Sequence, residues 1–402
     1  MNNSPMRPLT ASAWTVTSAL GHGRSAALES LRNNRGGLTR CDYPQAKLDT
    51  WIGRVTGLED YRLPGELAEW DCRNNRLAHL ALNQDGFLDE CRRLRERYGA
   101  EQVGVFLGTS TSGIELTERA YRERHDTGEL PEWFSYSHSQ DMFTLPAFLR
   151  TALGLSGPAL AVSTACSSSA KVFATAARYM QAGLCRAALV GGVDSLCLMT
   201  LYGFHSLQLV SAAPCRPADA ERDGINLGEA AGFALLEWSD ACGDQDSPML
   251  LGFGESGDAH HMSAPHPEGA GAALAMQAAL DRSGLKPADV DWVHLHGTGT
   301  PANDQAEDLA VRRVFGPGQI SSSTKGWCGH TLGAAGIMGF GIAALAMEHG
   351  FVPASLNTHK VDPAIDADIV LENREQPVSR VMVNAFGFGG SNASLVVGRG
   401  VR

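Results

Sequence analysis

The sequence has no CxxC pair and no unbroken apolar run of the ~18 residues that a membrane-crossing helix needs. Its opening segment, MNNSPMRPLTASAWTV, lacks the basic start and continuous apolar centre of a secretory signal, so neither export nor a membrane span is expected. Positive charge is also in deficit. With 33 Lys and Arg against 44 Asp and Glu, the formal charge is −11 and the pI is near 5.6, which leaves no global field to gather nucleic acid. No low-complexity linker divides the chain, and no clear internal repeat is visible. The cysteines, at 41, 72, 91, 166, 185, 197, 215, 242 and 328, are odd in number and scattered, as expected of reduced thiols in a cytoplasm.

What the chain does have is size and glycine. At 402 residues it can bury a large core without staples, as one large fold or as two similar fused halves. Its 45 glycines imply many tight turns and close backbone approaches. Short β-rich runs at 103–107, 187–190, 290–295 and 381–384 alternate with helical stretches, which predicts an α/β fold with buried strands. Helices are expected over 170–182, packed on one face through Val172, Ala176, Tyr179 and Met180, and over 270–283 and 331–349.

Residues 159–170, ALAVSTACSSSA, run from an apolar strand into a cysteine followed by small residues that open a helix. Cys166 is thereby placed at a helix N-terminus, where free N–H groups and the helix dipole favour the nucleophilic thiolate. Buried structural cysteine is the commoner fate of this residue, and Cys185 and Cys197 are assigned to it. The run VHLHGTGTPANDQAE places His296 where a strand stops, with the hydroxyls of Thr298 and Thr300 suited to the amides of an extended ligand arm. In SSSTKGWCGHTLGAAG, Lys325 precedes His330 by five residues and is a poor surface lysine, with Glu307 as its expected partner. The glycine-rich VNAFGFGGSNA lets the backbone approach a ligand, and the N–H of Phe388 could help hold an oxyanion.

In chain order, TACSSS (164–169), RPADAERDGINLGEAAG (216–232), HGTGTPANDQAE (296–307), STKGWCGHTLGAAG (323–336) and NAFGFGGSNA (384–393) resemble the β-ketoacyl-acyl-carrier-protein synthases. These are condensing enzymes of the thiolase superfamily, and the resemblance spans nearly the whole chain. It implies a thiolase-like, duplicated αβαβα five-layered fold, with residues 1–250 as the half carrying the nucleophile and 251–402 as the half carrying the histidines and lysine. It further implies Cys166, His296 and His330 as the catalytic triad, Lys325 and Glu307 as the pair that orients the histidines, and the N–H groups of Cys166 and Phe388 as the oxyanion hole. Thr298, Thr300 and Ser263 would meet pantetheine, and Thr111, Phe204 and Phe386 would line the substrate site. Arg73 and Arg76 are candidates for docking an acidic carrier helix, against the alternative of a solvated basic face.

The implied partners are an acyl carrier protein and a second chain, in a homodimer or a heterodimer with a ketosynthase-like partner. No cofactor or catalytic metal is implied, because the substrates ride on phosphopantetheine. Three positions depart from the family pattern: Gly339 stands where a glutamate associated with a structural cation is usual, Cys328 replaces a usual threonine, and Gln208 falls where some members carry a docking arginine.

The activity so implied is decarboxylative Claisen condensation of an acyl group on Cys166 with a malonyl group on its carrier, in fatty-acid synthesis or in a specialised pathway to a polyketide or a pigment such as an aryl polyene. Three rivals remain. A thiolase would need a second cysteine near the C-terminus, and none follows Cys328. A non-catalytic chain-length partner would typically lack the nucleophile that is present here. A zinc site built from Cys166, His296 and His330 matches no short zinc spacing.

Overall fold

The computed structural model describes residues 5–242 and 246–399. Its strands fall into two blocks with one shared pattern. In the first, Ala159–Val162, Val103–Gly108, Ala187–Asp194, Ala230–Trp238 and Leu9–Ser18 lie side by side; in the second, the sequence is Ile320–Ser322, Trp292–His294, Arg380–Gly387, Ser391–Gly398 and Met249–Gly257. Each block runs through two parallel pairings and then two antiparallel ones. Asp368–Ile369 extends the outer edge of the second block. The blocks join where Leu9 and Thr10 pair with Leu250 and Met249. This is the duplicated arrangement that the resemblance implied.

Alternation along the strands explains the layers. Val103, Val105 and Leu107 face one apolar cluster together with the helices Arg73–Leu82, Phe87–Tyr98 and Thr144–Leu153, while Phe106 faces another. In the second block Met382 joins a cluster with the helices Ala270–Ser283 and Pro301–Phe315, while Val381 and Val383 face inward. The helices Ser168–Gln181 and Ala335–His349 share the inner cluster with strands of both blocks. Strands covered on both faces read as continuous apolar runs rather than alternating ones, as Val103–Gly108 does.

The helix Ser168–Gln181 departs from the one-faced packing expected of it. Phe173, Ala174 and Ala177 are buried as well as Val172, Ala176 and Met180, because the helix sits in the central layer. Its neighbour is buried from Gly336 through Met347. The stretch Leu332–His349 is long and apolar enough to cross a membrane, but those properties serve the core here, since most of it is covered by the rest of the chain. The first turns of the two central helices touch. A Cβ at Gly336 would collide with the backbone nitrogen of Ala170, and the N–H of Ile337 donates to Ser169 Oγ at 3.0 Å.

Candidate active site

Three strands, each from the parallel part of its block, deliver the site. Cys166 follows Ala159–Val162, His296 follows Trp292–His294, and His330 follows Ile320–Ser322. Such carboxyl ends are where α/β folds gather ligands. The turn into the nucleophile is tight. Ala165 adopts φ +51°, a left-handed conformation that alanine rarely takes, and Ser168 Oγ accepts from the N–H of Thr164 at 2.9 Å while donating to the carbonyl of Ala165. Nothing in the residue type at 165 announces that turn.

The resting nucleophile differs from the expected thiolate. Burial pushes the Cys166 thiol up to about 12; Lys325 lowers it, Asp194 raises it, and the nearby backbone N–H groups of Phe388 and of Cys166 itself lower it. The expected oxyanion donors thus lie near enough to favour the thiolate, but they do not overcome desolvation.

His330 Nε2 lies 3.0 Å from Cys166 Sγ. The backbone N–H of Leu332 donates to Nδ1 of the same ring at 3.3 Å, so Nδ1 is an acceptor and the proton of the neutral imidazole belongs on Nε2, facing the sulfur. His296 is built in a similar way. Lys325 Nζ donates to the His296 carbonyl and lies 3.5 Å from Nδ1, which leaves Nε2 to carry the proton. Burial first, then the Lys325 charge, holds both imidazoles well below their ordinary range, so both are neutral at physiological pH. Their rings stand 5.2 Å apart at 81°.

This polarity also decides the zinc alternative. The ligand atoms of Cys166, His296 and His330 lie within 4.8 Å of one another, close enough to share an ion. A zinc-bound histidine, however, donates its second N–H to an acceptor, whereas here both Nδ1 atoms face donors. The donor set does not fit the metal. The side-chain ligand for the structural cation associated with position 339 is missing as well. Gly339 offers no side-chain carboxylate, and a Cβ there would stand 2.6 Å from Val383 Cγ1 and 3.1 Å from His294 Nδ1.

Glu307 and Lys325 are both buried beside His296, but they are not directly paired as expected. Glu307 accepts from the N–H groups of His296 and Gly297, each at 2.7 Å, and from Asn384 Nδ2 at 3.1 Å, while Lys325 is engaged by the His296 carbonyl. Each still feels the other's charge: burial pulls Lys325 down and Glu307 pulls it up. Asn384, absent from the sequence-based set, completes the shell of Glu307.

A mostly apolar cavity of about 300 Å³ opens onto Cys166, His296 and His330. Thr298, Thr300 and Ser263 line it as expected, the two threonine hydroxyls 2.9 Å apart. Phe204, Phe386 and Phe388 line it too, joined by Asn303, which the sequence did not single out.

Thr111 is not a wall of this cavity. Its hydroxyl and its N–H both donate to Asp194 Oδ1 at 2.9 Å, inside a buried polar cluster. Arg73 is no docking residue: its side chain is 8% exposed and donates to the fully buried Glu229 and to Glu59. Arg76 is half-buried and held by both oxygens of Asp71. A buried carboxylate calls for a cation, and DCRNNR supplies it from the inward side of its helix.

Comparison with known proteins agrees with this architecture. Residues 76–241 match the β-ketoacyl synthase N-terminal domain and residues 249–359 its C-terminal domain. Nodulation protein E of Rhizobium meliloti is 37% identical over 327 residues, covering 79% of each chain. The 3-oxoacyl-[acyl-carrier-protein] synthase 2 of Staphylococcus aureus strain COL is 35% identical over 74% of this chain and 75% of its own length. A chain from the structure of the ketosynthase ApeO with its chain length factor ApeC, from Xenorhabdus doucetiae, superposes with a TM-score of 0.88 at 35% identity, covering 98% of both chains. The ishigamide ketosynthase/chain length factor gives 0.90 at 25% identity, covering 98% of this chain and 99% of the other. With its duplicated fold and its sequence relatives in agreement, the chain belongs to the β-ketoacyl synthase family and is an acyltransferase-type condensing enzyme.

Proposed function

We propose that Cys166 carries the acyl group and that His296 and His330 act as neutral donors to the enolate formed on loss of carbon dioxide. In acyl loading, the Cys166 sulfur bonds to the acyl carbon, the carrier's thioester breaks, and the thiol proton passes to the departing pantetheine sulfur. In condensation, a malonyl thioester releases carbon dioxide, its carbanion bonds to the acyl carbon, and the Cys166 thiolate leaves. The observation that carries this reading is the geometry at the sulfur: His330 Nε2 lies 3.0 Å from Sγ, and the N–H groups of Phe388 and Cys166 lie near enough to lower the thiol.

The carrier in this reading is an acyl carrier protein, the carrier in the name of the Staphylococcus relative. The ketosynthase ApeO is paired with a chain length factor, which favours a heterodimer for this chain over a homodimer. Work in the cytoplasm fits the eight cysteines described in the structure, all of which are free. A specialised pathway is favoured over housekeeping fatty-acid synthesis by the departures at Gly339 and Gln208.

Cys166→Gln is the test, because glutamine places a neutral amide where the acylated sulfur would be. Acyl transfer and condensation should vanish, while carbon dioxide release from malonyl carrier protein persists or rises. Adding His330→Ala should then cost ~10²–10³ in that release. Undiminished condensation by Cys166→Gln, or decarboxylation indifferent to both histidines, would overturn the assignment.

A further inference from the structure

Asp194, at the end of the strand Ala187–Asp194, is fully buried and forms no ion pair among the described residues. It nevertheless accepts six hydrogen bonds. Oδ1 takes the Thr109 hydroxyl (2.8 Å), the Ser110 N–H (2.8 Å), and the Thr111 N–H and hydroxyl (both 2.9 Å); Oδ2 takes the Ser110 hydroxyl and the N–H of Gly333 (2.6 Å). A carboxylate in that position works against the nucleophile, since it raises the Cys166 thiol. Its reason for being there is therefore geometric.

The sixth bond shows what is being held. Gly333 follows Leu332, whose φ of +52° is a left-handed conformation unfavourable for a leucine, and it is the Leu332 N–H that donates to His330 Nδ1. Strain of this kind persists only where the surroundings enforce it. Asp194 grips the next N–H along. A Cβ on Gly333 would lie 2.7 Å from Asp194 Oδ2, so the contact also requires glycine.

We propose that Asp194 is a positioning residue for decarboxylation: by clamping the N–H of Gly333 it holds Leu332 in its strained turn, so that the Leu332 N–H pins His330 in the tautomer with its proton on Nε2. Without the clamp the turn relaxes, Nδ1 loses its donor, and the proton is shared between the two nitrogens. This rests on the reading of His330 as an Nε2 donor, and the experiment separates the two.

In a Cys166→Gln background, carbon dioxide release from malonyl carrier protein is measured for Asp194→Asn, His330→Ala and the double variant. In the otherwise unaltered chain, the ¹⁵N shifts of labelled His330 and the rate of Cys166 alkylation are followed for Asp194→Asn and for Gly333→Ala. Asp194→Asn should lower decarboxylation ~10–100-fold, the range typical of lost orienting partners, and add almost nothing to His330→Ala. Its His330 shifts should move from a protonated Nε2 to a mixture of tautomers. Alkylation should hold or quicken, because a carboxylate charge near the thiol has been removed; general collapse of the site would slow it. Gly333→Ala keeps the carboxylate, presses on the clamp, and should give the same change in shifts even if Asp194→Asn does not fold. Unchanged His330 shifts in either folded variant, or losses that multiply in the double variant, would overturn the proposal. If His330→Ala leaves decarboxylation intact, the donor reading fails instead, and the shifts still judge Asp194.

Discussion

The rings of Phe204 and Phe388 pack with their centroids 5.4 Å apart and tilted at 43°, so the residue whose N–H lowers the Cys166 thiol leans on a wall of the substrate cavity. Removing one ring should affect both chain selection and the nucleophile. Phe204→Ala is expected to shift the ratio of kcat/KM for long against short acyl primers by ~10-fold or more and to slow acyl loading. Thr111→Val, in contrast, removes a hydroxyl from Asp194 and should cost ~1 kcal/mol of stability with no change in that ratio. Competition between primers of different length would measure both.

Lys325 touches His296 rather than Glu307, so its loss should be read at the histidine and the thiol. Lys325→Ala leaves the His296 carbonyl and Nδ1 without their donor and removes the charge that lowers the Cys166 thiol. Condensation should fall ~10²-fold or more. Alkylation of Cys166 at a fixed, mildly alkaline pH should slow in parallel, because a smaller fraction of the thiol is ionised.

Arg73 is expected to matter for folding and not for carrier affinity. Arg73→Ala strands Glu229, which accepts from both Nε and Nη2 of the arginine, and should cost ~3–5 kcal/mol in urea unfolding. A variant still folded at low temperature should keep the KM for its carrier protein and the salt dependence of that KM.

Glu307 carries an unusual pH signature. Burial raises it from 4.5 to about 7, against hydrogen bonds from Gly297, His296 and Asn384 and the charge of Lys325. Between those two values the folded protein holds a proton that the unfolded chain has lost, so this group's contribution to stability falls as pH rises through the window. Glu307→Gln should flatten that fall, seen by comparing unfolding midpoints at mildly acidic and neutral pH. It should also remove any limb of the condensation rate that titrates near neutrality.

Cys166 and His296 were legible because each sits where an apolar run stops, and His330 because a lysine and a glycine-dense helix flank it. Cys166 and His296 are marked by the strand before them and the small residues after them, and the ordered motifs named the fold that brings them to His330. Bonds between distant segments were not legible. Arg73 and Glu229 are 156 positions apart, and a basic residue within DCRNNR reads as surface until the strand beside it supplies a buried acid. Lys325 and Glu307 were placed in the right neighbourhood, but proximity in a pocket does not say which backbone groups compete for each charge. Asp194 was missed for a related reason: its partners are ordinary Ser, Thr and Gly residues, and the left-handed turns at Ala165 and Leu332 occur at residue types that carry no such signal.

The contact between Gly336 and Ala170 has a mechanical consequence. One central helix opens two residues after the nucleophile and the other five residues after its histidine, and at their first turns the two meet backbone to backbone. The spacing of the backbones that carry the sulfur and the imidazole is therefore gauged by main chain, which has no rotamers to change. Walls and outer surfaces can be recut for a new acyl chain or a new companion while that gauge stays set. A single methyl at residue 336, out of reach of any substrate, would act as a shim between the two halves of the reaction centre.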